Sequence, residues 1–286
     1  MAATRAKRRR RIRILLIVLC LLGILVLTGL DHRLQVRHYE LSFPGLPDGF
    51  SGETYCVIAD PHGSYMAGGE NDLLSAIREE APGAVFLLGD LLMEDDPDFD
   101  GLGDFLSALV KIAPVYSVSG NHDRWEGFYK QYLTCLQNAG VICLEDGETT
   151  LTRGGDSIHL VGFADPPFWT NEPKTEQIAA TVSKLPAGDG FDILLYHRAN
   201  FFDAVAGKGY DLVLSGHLHG GVVRLPFIGP LFRELPVGEM TYAGGKYDKD
   251  GTVLVSCRGL GNNVWVPRVF NRPELVAITL KKGDMN

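Results

Sequence analysis

The chain has 286 residues, enough for one large domain or two small ones with a sizeable core. Hydrophobic residues make up 45% and charged residues 22%, a balance that excludes a largely disordered chain. The net charge of −8 hides an asymmetry: seven of the first thirteen residues are Arg or Lys, and the remainder sets 20 basic against 35 acidic residues, a net of −15. So acidic a body is a poor partner for nucleic acid, whose binding depends on neutralising phosphates.

Residues 1–13 read as a basic cytoplasmic tail. Ile14 to Leu30 then run for seventeen residues without a charge, just enough to span a bilayer as a helix. Arginines precede the run and Asp31 follows it, so the positive-inside rule leaves the tail in the cytoplasm and exports the rest. The expectation is a single-pass cell-membrane protein with an extracytoplasmic body. A cleaved signal peptide is the rival, but its apolar region is usually shorter and no A-x-A-like site follows Leu30. The consecutive arginines also satisfy a twin-arginine export pattern loosely, as any such run does. Residues 31–50 read as a connector punctuated by "PGLPDGF", leaving 51–286 as the main domain.

In the body, strands and helices alternate. "TYCVIAD" is strand-like, and "NDLLSAIREEA" is an amphipathic helix with Asn71 at its N-cap position. "AVFLLGD" is a second apolar run, "FLSALVKIA" is helical, and "VYSVSGNHD" runs from a strand into a polar turn. "WEGFYKQYLTCLQNAG" reads as a helix closed by Gly140. "SIHLVGFAD", "FDILLYH" and "YDLVLSGH" supply later strands. This pattern predicts α/β layers whose strands are buried on both faces. None of the five cysteines forms a CxxC pair, and buried free thiols are the expectation.

The chemistry collects where strands end. Asp60, Asp90, Asn121, His122, His197 and His217 each lie at or just past the C-terminal end of an apolar run, the edge where open α/β sheets bind ligands. His217 and His219 are two apart, as are Asp60 and His62 on either side of Pro61, and period 2 puts both members of a pair on one face of an extended segment. Taken singly, these carboxylates and the amide have ordinary uses as caps and turns, and the histidines as satisfied core groups. Jointly they offer carboxylate, amide and imidazole donors without thiolates, a set suited to Mn, Fe or Zn. His159 reads as a packed strand histidine, and His32 and His38 as solvated. Asp165 ends another strand near this edge, with its role open.

"DPH" at 60–62, "GD" at 89–90, "GNHD" at 120–123, His197 and "GHLH" at 216–219 occur in the order of the calcineurin-like metallophosphoesterases, and the chain resembles that family across 60–219. The close of the chain, "SCRGLGNNVWVPRVFNRPELVAITL", resembles the family's membrane-anchored bacterial branch. The resemblance implies a four-layer α/β/β/α metallophosphoesterase sandwich, here behind an N-terminal transmembrane helix, and two divalent metal ions. Asp60, His62 and His219 would hold one ion and Asn121, His197 and His217 the other, with Asp90 as bridge. His122 would sit over the substrate as a catalytic acid, with Asp123 steering its ring. Arg198, where many relatives have a small or polar residue, reads as a solvated helix start.

The reading is therefore a dinuclear-metal phosphoesterase that hydrolyses phosphodiester or pyrophosphate bonds of lipid-linked or nucleotide-like substrates at the membrane. A broad phosphomonoesterase or protein phosphatase is the alternative within the scaffold. A silent metal-binding sensor module is the alternative of another class, disfavoured by the intact ligand set. "SVSG" and "VLSG" supply no G-x-S-x-G nucleophile elbow. Oligomeric state is not readable from the sequence.

Overall fold

The computed structural model describes residues 2–63, 70–93, 95–124, 127–166, 175–184, 187–231, 234–235, 238–262 and 265–283. Helix α1 (Ala2–Gly29) precedes the body. There follow β1 (Gln35–Phe43), β2 (Thr54–Ile58), α2 (Glu70–Glu80), β3 (Ala84–Leu87), α3 (Phe99–Leu109), β4 (Val115–Ser117), α4 (Tyr129–Ala139) and β5 (Ile142–Cys143). The second half holds β6 (Gly147–Arg153), β7 (Asp156–Phe163), α5 (Thr175–Val182), β8 (Asp192–Arg198), α6 (Phe202–Val205) and β9 (Leu212–Gly216). Two short hairpins come next, β10 (Arg224–Leu225) with β11 (Gly229–Pro230) and β12 (Glu234–Leu235) with β13 (Gly238–Glu239). β14 (Gly245–Lys249), β15 (Thr252–Ser256) and β16 (Glu274–Lys282) complete the chain.

Two mixed six-stranded sheets result, in the orders β1-β16-β2-β3-β4-β5 and β14-β15-β9-β8-β7-β6. The near-continuous apolar runs are explained by burial on both faces. In β2 and β3, Val57 and Phe86 point between the sheets, where they meet Ile193, Leu195 and Leu214 of the other sheet. Their neighbours Cys56, Ile58, Val85 and Leu87 point outward onto α2, α3 and α4. Leu194, Tyr196 and Val213 likewise pack outward against α5 and α6. Two helical layers thus enclose two sheets. β2, β3 and β4 pair in parallel, as do β7, β8, β9 and β15, so several strands of each sheet end together at one edge.

Several sequence expectations need correction. The segment 31–50 is not a bare connector: β1 lies within it and pairs in parallel with β16, and Leu41, Phe43, Leu46 and Phe50 enter the inter-sheet core. Its charged residues hide an alternation whose apolar members face inward. Asn71 falls inside the first turn of α2, which starts at Glu70. α3 starts six residues before the expected segment, because Asp98 caps it by accepting from the Gly101 N–H at 2.9 Å. Gly101 and Gly103 weaken the helical signal there, and packing of Leu102, Phe105 and Leu106 overrides it. The helix expected from 125 starts at Tyr129, with 125–126 outside the described residues, and ends at Gly140 in the left-handed region (φ 87°). All five cysteines are free, with Cys56 and Cys257 buried.

Among the described residues, α1 is the one helix long and apolar enough to cross a membrane, a test that a signal sequence also passes. Its apolar side chains face outward, Leu15, Leu16, Ile17 and Val26 among them.

The pairing of β1 generates a prediction. A body beginning at residue 31 folds cooperatively, whereas one beginning at residue 51 loses a strand and four core side chains and fails to fold. Circular dichroism melts of the two truncations check this; equal melting would return residues 31–50 to the status of a connector.

Candidate metal centre

Each expected ligand is placed by the end of a strand. Asp60 follows β2, Asp90 follows β3, Asn121 follows β4, His197 is the next-to-last residue of β8, and His217 and His219 follow β9. Backbone bonds join these ends: the Asp60 N–H donates to Gly89 O at 3.1 Å, and the His62 N–H to Asp90 O at 3.0 Å. Five of the residues, Asp60, His62, Asp90, His217 and His219, hold positive φ between 46° and 74°. Side chains other than glycine rarely adopt that region, and the strain is held in place by the surrounding packing. Gly120 is obligatory in another way, since a Cβ there would lie 2.2 Å from Asp90 Oδ1.

Two overlapping groups of donor atoms form. Asp60, His62, Asp90 and His219 offer ligand atoms within 4.8 Å of one another, and so do Asp90, His197 and His217. Asp90 is in both. Its Oδ2 lies 3.2 Å from His197 Nε2, 3.6 Å from His62 Nε2 and 4.0 Å from His122 Nε2. Its Oδ1 accepts the His122 N–H at 2.9 Å. His197 Nδ1 lies 2.6 Å from Leu88 O, which orients the ring so that Nε2 faces the carboxylates. The Asp60 carboxylate accepts the His217 N–H at 2.9 Å. Asn121 Oδ1 is buried with no hydrogen-bond partner.

The electrostatics call for cations. Burial pushes the Asp60 carboxyl up to about 6, and the Asp90 charge adds to this, against the lowering effect of His197. For Asp90, burial is outweighed by His197, His122 and His62, which hold it well below the usual carboxylate range. Burial lowers His197 but Asp90 and Asp60 raise it to about 10. Burial and nearby positive charge keep His217 and His219 well below the usual imidazole value, hence neutral, the form that ligates metal. Converging buried carboxylates, neutral imidazoles and an orphaned amide oxygen fit hard-to-borderline divalent cations.

The surrounding side chains go beyond expectation in three respects. Asp123 is fully buried. It accepts backbone N–H groups from Asp90 at 2.6 Å, Leu91 at 2.8 Å and Gly120 at 2.9 Å, clamping the two loops that carry Asp90 and Asn121. Burial and the Asp90 charge raise its carboxyl to about 7. Arg198 is buried rather than solvated, because β8 runs through it. Its guanidinium forks onto Asp165, Nε to Oδ2 at 2.7 Å and Nη2 to Oδ1 at 3.0 Å, which supplies the role left open for Asp165. His159 is not simply packed but lies between Asp192, at 2.5 Å, and Glu148, at 3.3 Å. His38 is exposed and pairs with Glu80.

Arg268 is absent from the sequence reading. It is buried, donates to the Gly261 and Arg258 carbonyls, and puts Nη2 3.3 Å from His219 Nδ1. Arg198 Nη1 stands 3.4 Å from His217 Nε2 in the same way. Each histidine of "GHLH" thus has a buried guanidinium behind it that opposes protonation. A lone arginine inside the apolar "WVPRVF" was the available signal.

The calcineurin-like phosphoesterase profile matches residues 54–221, more than half of the chain. The chain belongs to the calcineurin-like phosphoesterase family. It is similar to the phosphodiesterase YaeI of Escherichia coli (strain K12), 29% identical over 213 residues that cover 73% of this chain and 74% of that one. It is also similar to the metallophosphoesterase YkuE of Bacillus subtilis (strain 168), 27% identical over 88% of this chain and 87% of that one. A metallophosphoesterase of Aquifex aeolicus (strain VF5) is 30% identical over 88% of this chain and 94% of its own length. The protein is a phosphoric ester hydrolase with a buried Asp/His cluster that can hold metal.

The Arg198–Asp165 fork generates a prediction. Asp165→Asn removes the carboxylate charge from a buried ion pair and destabilises the fold by about 3–5 kcal/mol. A denaturant midpoint unchanged in that variant would contradict the pairing.

Proposed function

We propose that the protein is a dinuclear-metal phosphodiesterase held at the cell membrane by α1, with its catalytic body on the extracytoplasmic side. The observation that carries the chemistry is the membership of Asp90 in both donor groups. In this reading Asp60, His62 and His219 would hold one divalent ion and Asn121, His197 and His217 the other, with Asp90 shared between them. Mn, Fe and Zn all suit such donors. When bound, the ions supply Lewis-acid polarisation of the phosphoryl group and activation of the attacking water.

The chain's own groups do the rest. His197, braced through Nδ1 by the Leu88 carbonyl, keeps its ring fixed. Asp123 holds the Asp90 and Gly120 backbones in register. His122 is tied through its backbone N–H to Asp90, stands edge-on to the His62 ring at 4.9 Å, and keeps its side chain partly open to solvent. From there it donates a proton to the leaving alkoxide. No protein nucleophile is needed. The name of the relative YaeI supports a diester substrate, and the anchor favours lipid-linked phosphates or pyrophosphates, which concentrate where the body sits. Activity of the metal-loaded protein on bis-p-nitrophenyl phosphate well above that on p-nitrophenyl phosphate is expected; the reverse order would make it a phosphomonoesterase.

His122→Ala is expected to retain its metal while turnover falls about 10²–10⁴-fold on alkyl esters. The loss is smaller on p-nitrophenyl esters, whose leaving group hardly needs a proton. Equal losses on both would assign His122 to positioning instead.

The anchor is supported by an uncharged seventeen-residue run with its basic flank wholly on the N-terminal side. Protease added to intact spheroplasts of an expressing bacterium should digest the body of a full-length, membrane-bound chain. Protection until lysis would reverse the topology, and a mature N-terminus near residue 31 would make α1 a signal peptide.

A further inference from the structure

A second cavity, of about 630 Å³, opens beside the end of α1 and shares no residue with the metal ligands. Thr28 from the last turn of α1 lines it, together with the β10–β11 hairpin, Phe270 and the guanidinium-bearing residues Arg224, Arg258 and Arg272. Among the described residues, no carboxylate lines it. The nearby acids are already engaged. Glu274 is held by Arg37 at 2.7 Å and stands 3.7 Å from Arg258, and Asp31 is forked by Arg33 at 2.9 Å and stands 3.5 Å from Arg272. Arg224 spends Nη1 on the Gly220 and Ala243 carbonyls, both at 2.7 Å. Arg258 Nε is buried and makes no hydrogen bond, with Glu274 Oε2 3.7 Å away. Arg272 spends Nε and Nη2 on the Arg33 and Leu34 carbonyls, at 2.8 and 2.9 Å. The guanidinium groups of the cavity still outnumber the acids beside them, which are shared with Arg37 and Arg33, and their remaining N–H donors suit the oxygens of a phosphate.

Its rim is apolar. Phe227, at the tip of the hairpin, is fully exposed, and Ile228 beside it is 62% exposed. Phe227 and Phe270 both hold positive φ, 68° and 49°, so this cavity repeats the backbone strain of the metal centre. The Phe270 N–H donates to Gly29 O at 2.7 Å, which fixes the hairpin and cavity beside the point where α1 leaves the body. An exposed aromatic tip at that level, over a cationic pocket, matches an interfacial anchor.

We propose that this cavity binds the phosphate of an anionic phospholipid, with the Phe227–Ile228 turn inserted among the acyl chains next to α1. The proposal rests on α1 being the membrane anchor. It gives the body a fixed orientation on the bilayer and leaves the metal centre free for substrate.

The test uses the full chain, delipidated in neutral detergent and followed by native mass spectrometry. One phosphatidylglycerol per chain should be retained at concentrations where phosphatidylcholine is not, and millimolar inorganic phosphate should not displace it. Arg258→Gln should weaken retention about fivefold, the contribution of one arginine near an anionic headgroup. Phe227→Gly with Ile228→Ser, which relieves the strained φ and touches only the exposed tip, should weaken lipid retention too and serves where Arg258→Gln does not fold. Equal retention of both lipids, unchanged retention in the variants, or displacement by free phosphate would overturn the proposal. Carbonate extraction of the starting membranes reads α1 separately: release of the chain would refute the anchor, while the lipid measurement reads the cavity alone.

Discussion

Asp60 and Asp90 bring two carboxylates into the buried edge between the sheets, within 4.8 Å of each other and out of reach of bulk water. Uncompensated, such a pair would cost several kcal/mol of stability per charge. The rest of this edge answers that cost. Imidazoles from both sheets converge on the carboxylates, Asp123 gathers the amides of the Asp90 loop, and Arg268 and Arg198 stand behind His219 and His217. The sandwich architecture is what makes this convergence possible. β2 and β3 deliver the carboxylates from one sheet, and β8 and β9 deliver three histidines from the other.

The same geometry explains the positive φ values. A strand running straight on would carry Asp60 or His217 past the edge. A left-handed residue turns the chain back at once, so the side chain stays over the seam between the sheets. Gly120 completes the fit because only a hydrogen can sit against Asp90 Oδ1. Function and local strain therefore coincide at the candidate metal centre.

Much of this is legible in the residues. The apolar runs ending in Asp60, Asp90 and His217 show strands buried on both faces, and the period-2 pairs Asp60/His62 and His217/His219 foreshadow shared faces. What stays hidden depends on long-range contacts. β1 pairs with β16, some 240 residues away, and its sequence is too charged to announce a core strand. Arg198 reads as a surface residue until Asp165, 33 residues earlier, is seen to meet it. Asp123 sits next to His122 in sequence, and nothing there announces that its carboxylate accepts the backbone amides of the Asp90 loop, which a tight turn brings against it.

The central claim is that Asp90 joins two cation sites into one centre. Elemental analysis of the purified chain after mild metal reloading tests it most directly. The account predicts a content approaching two metals per chain in the parent protein and the loss of metal together with activity in Asp90→Asn, whose amide cannot serve as a charged bridge. Metal content and activity close to those of the parent in that variant would contradict it.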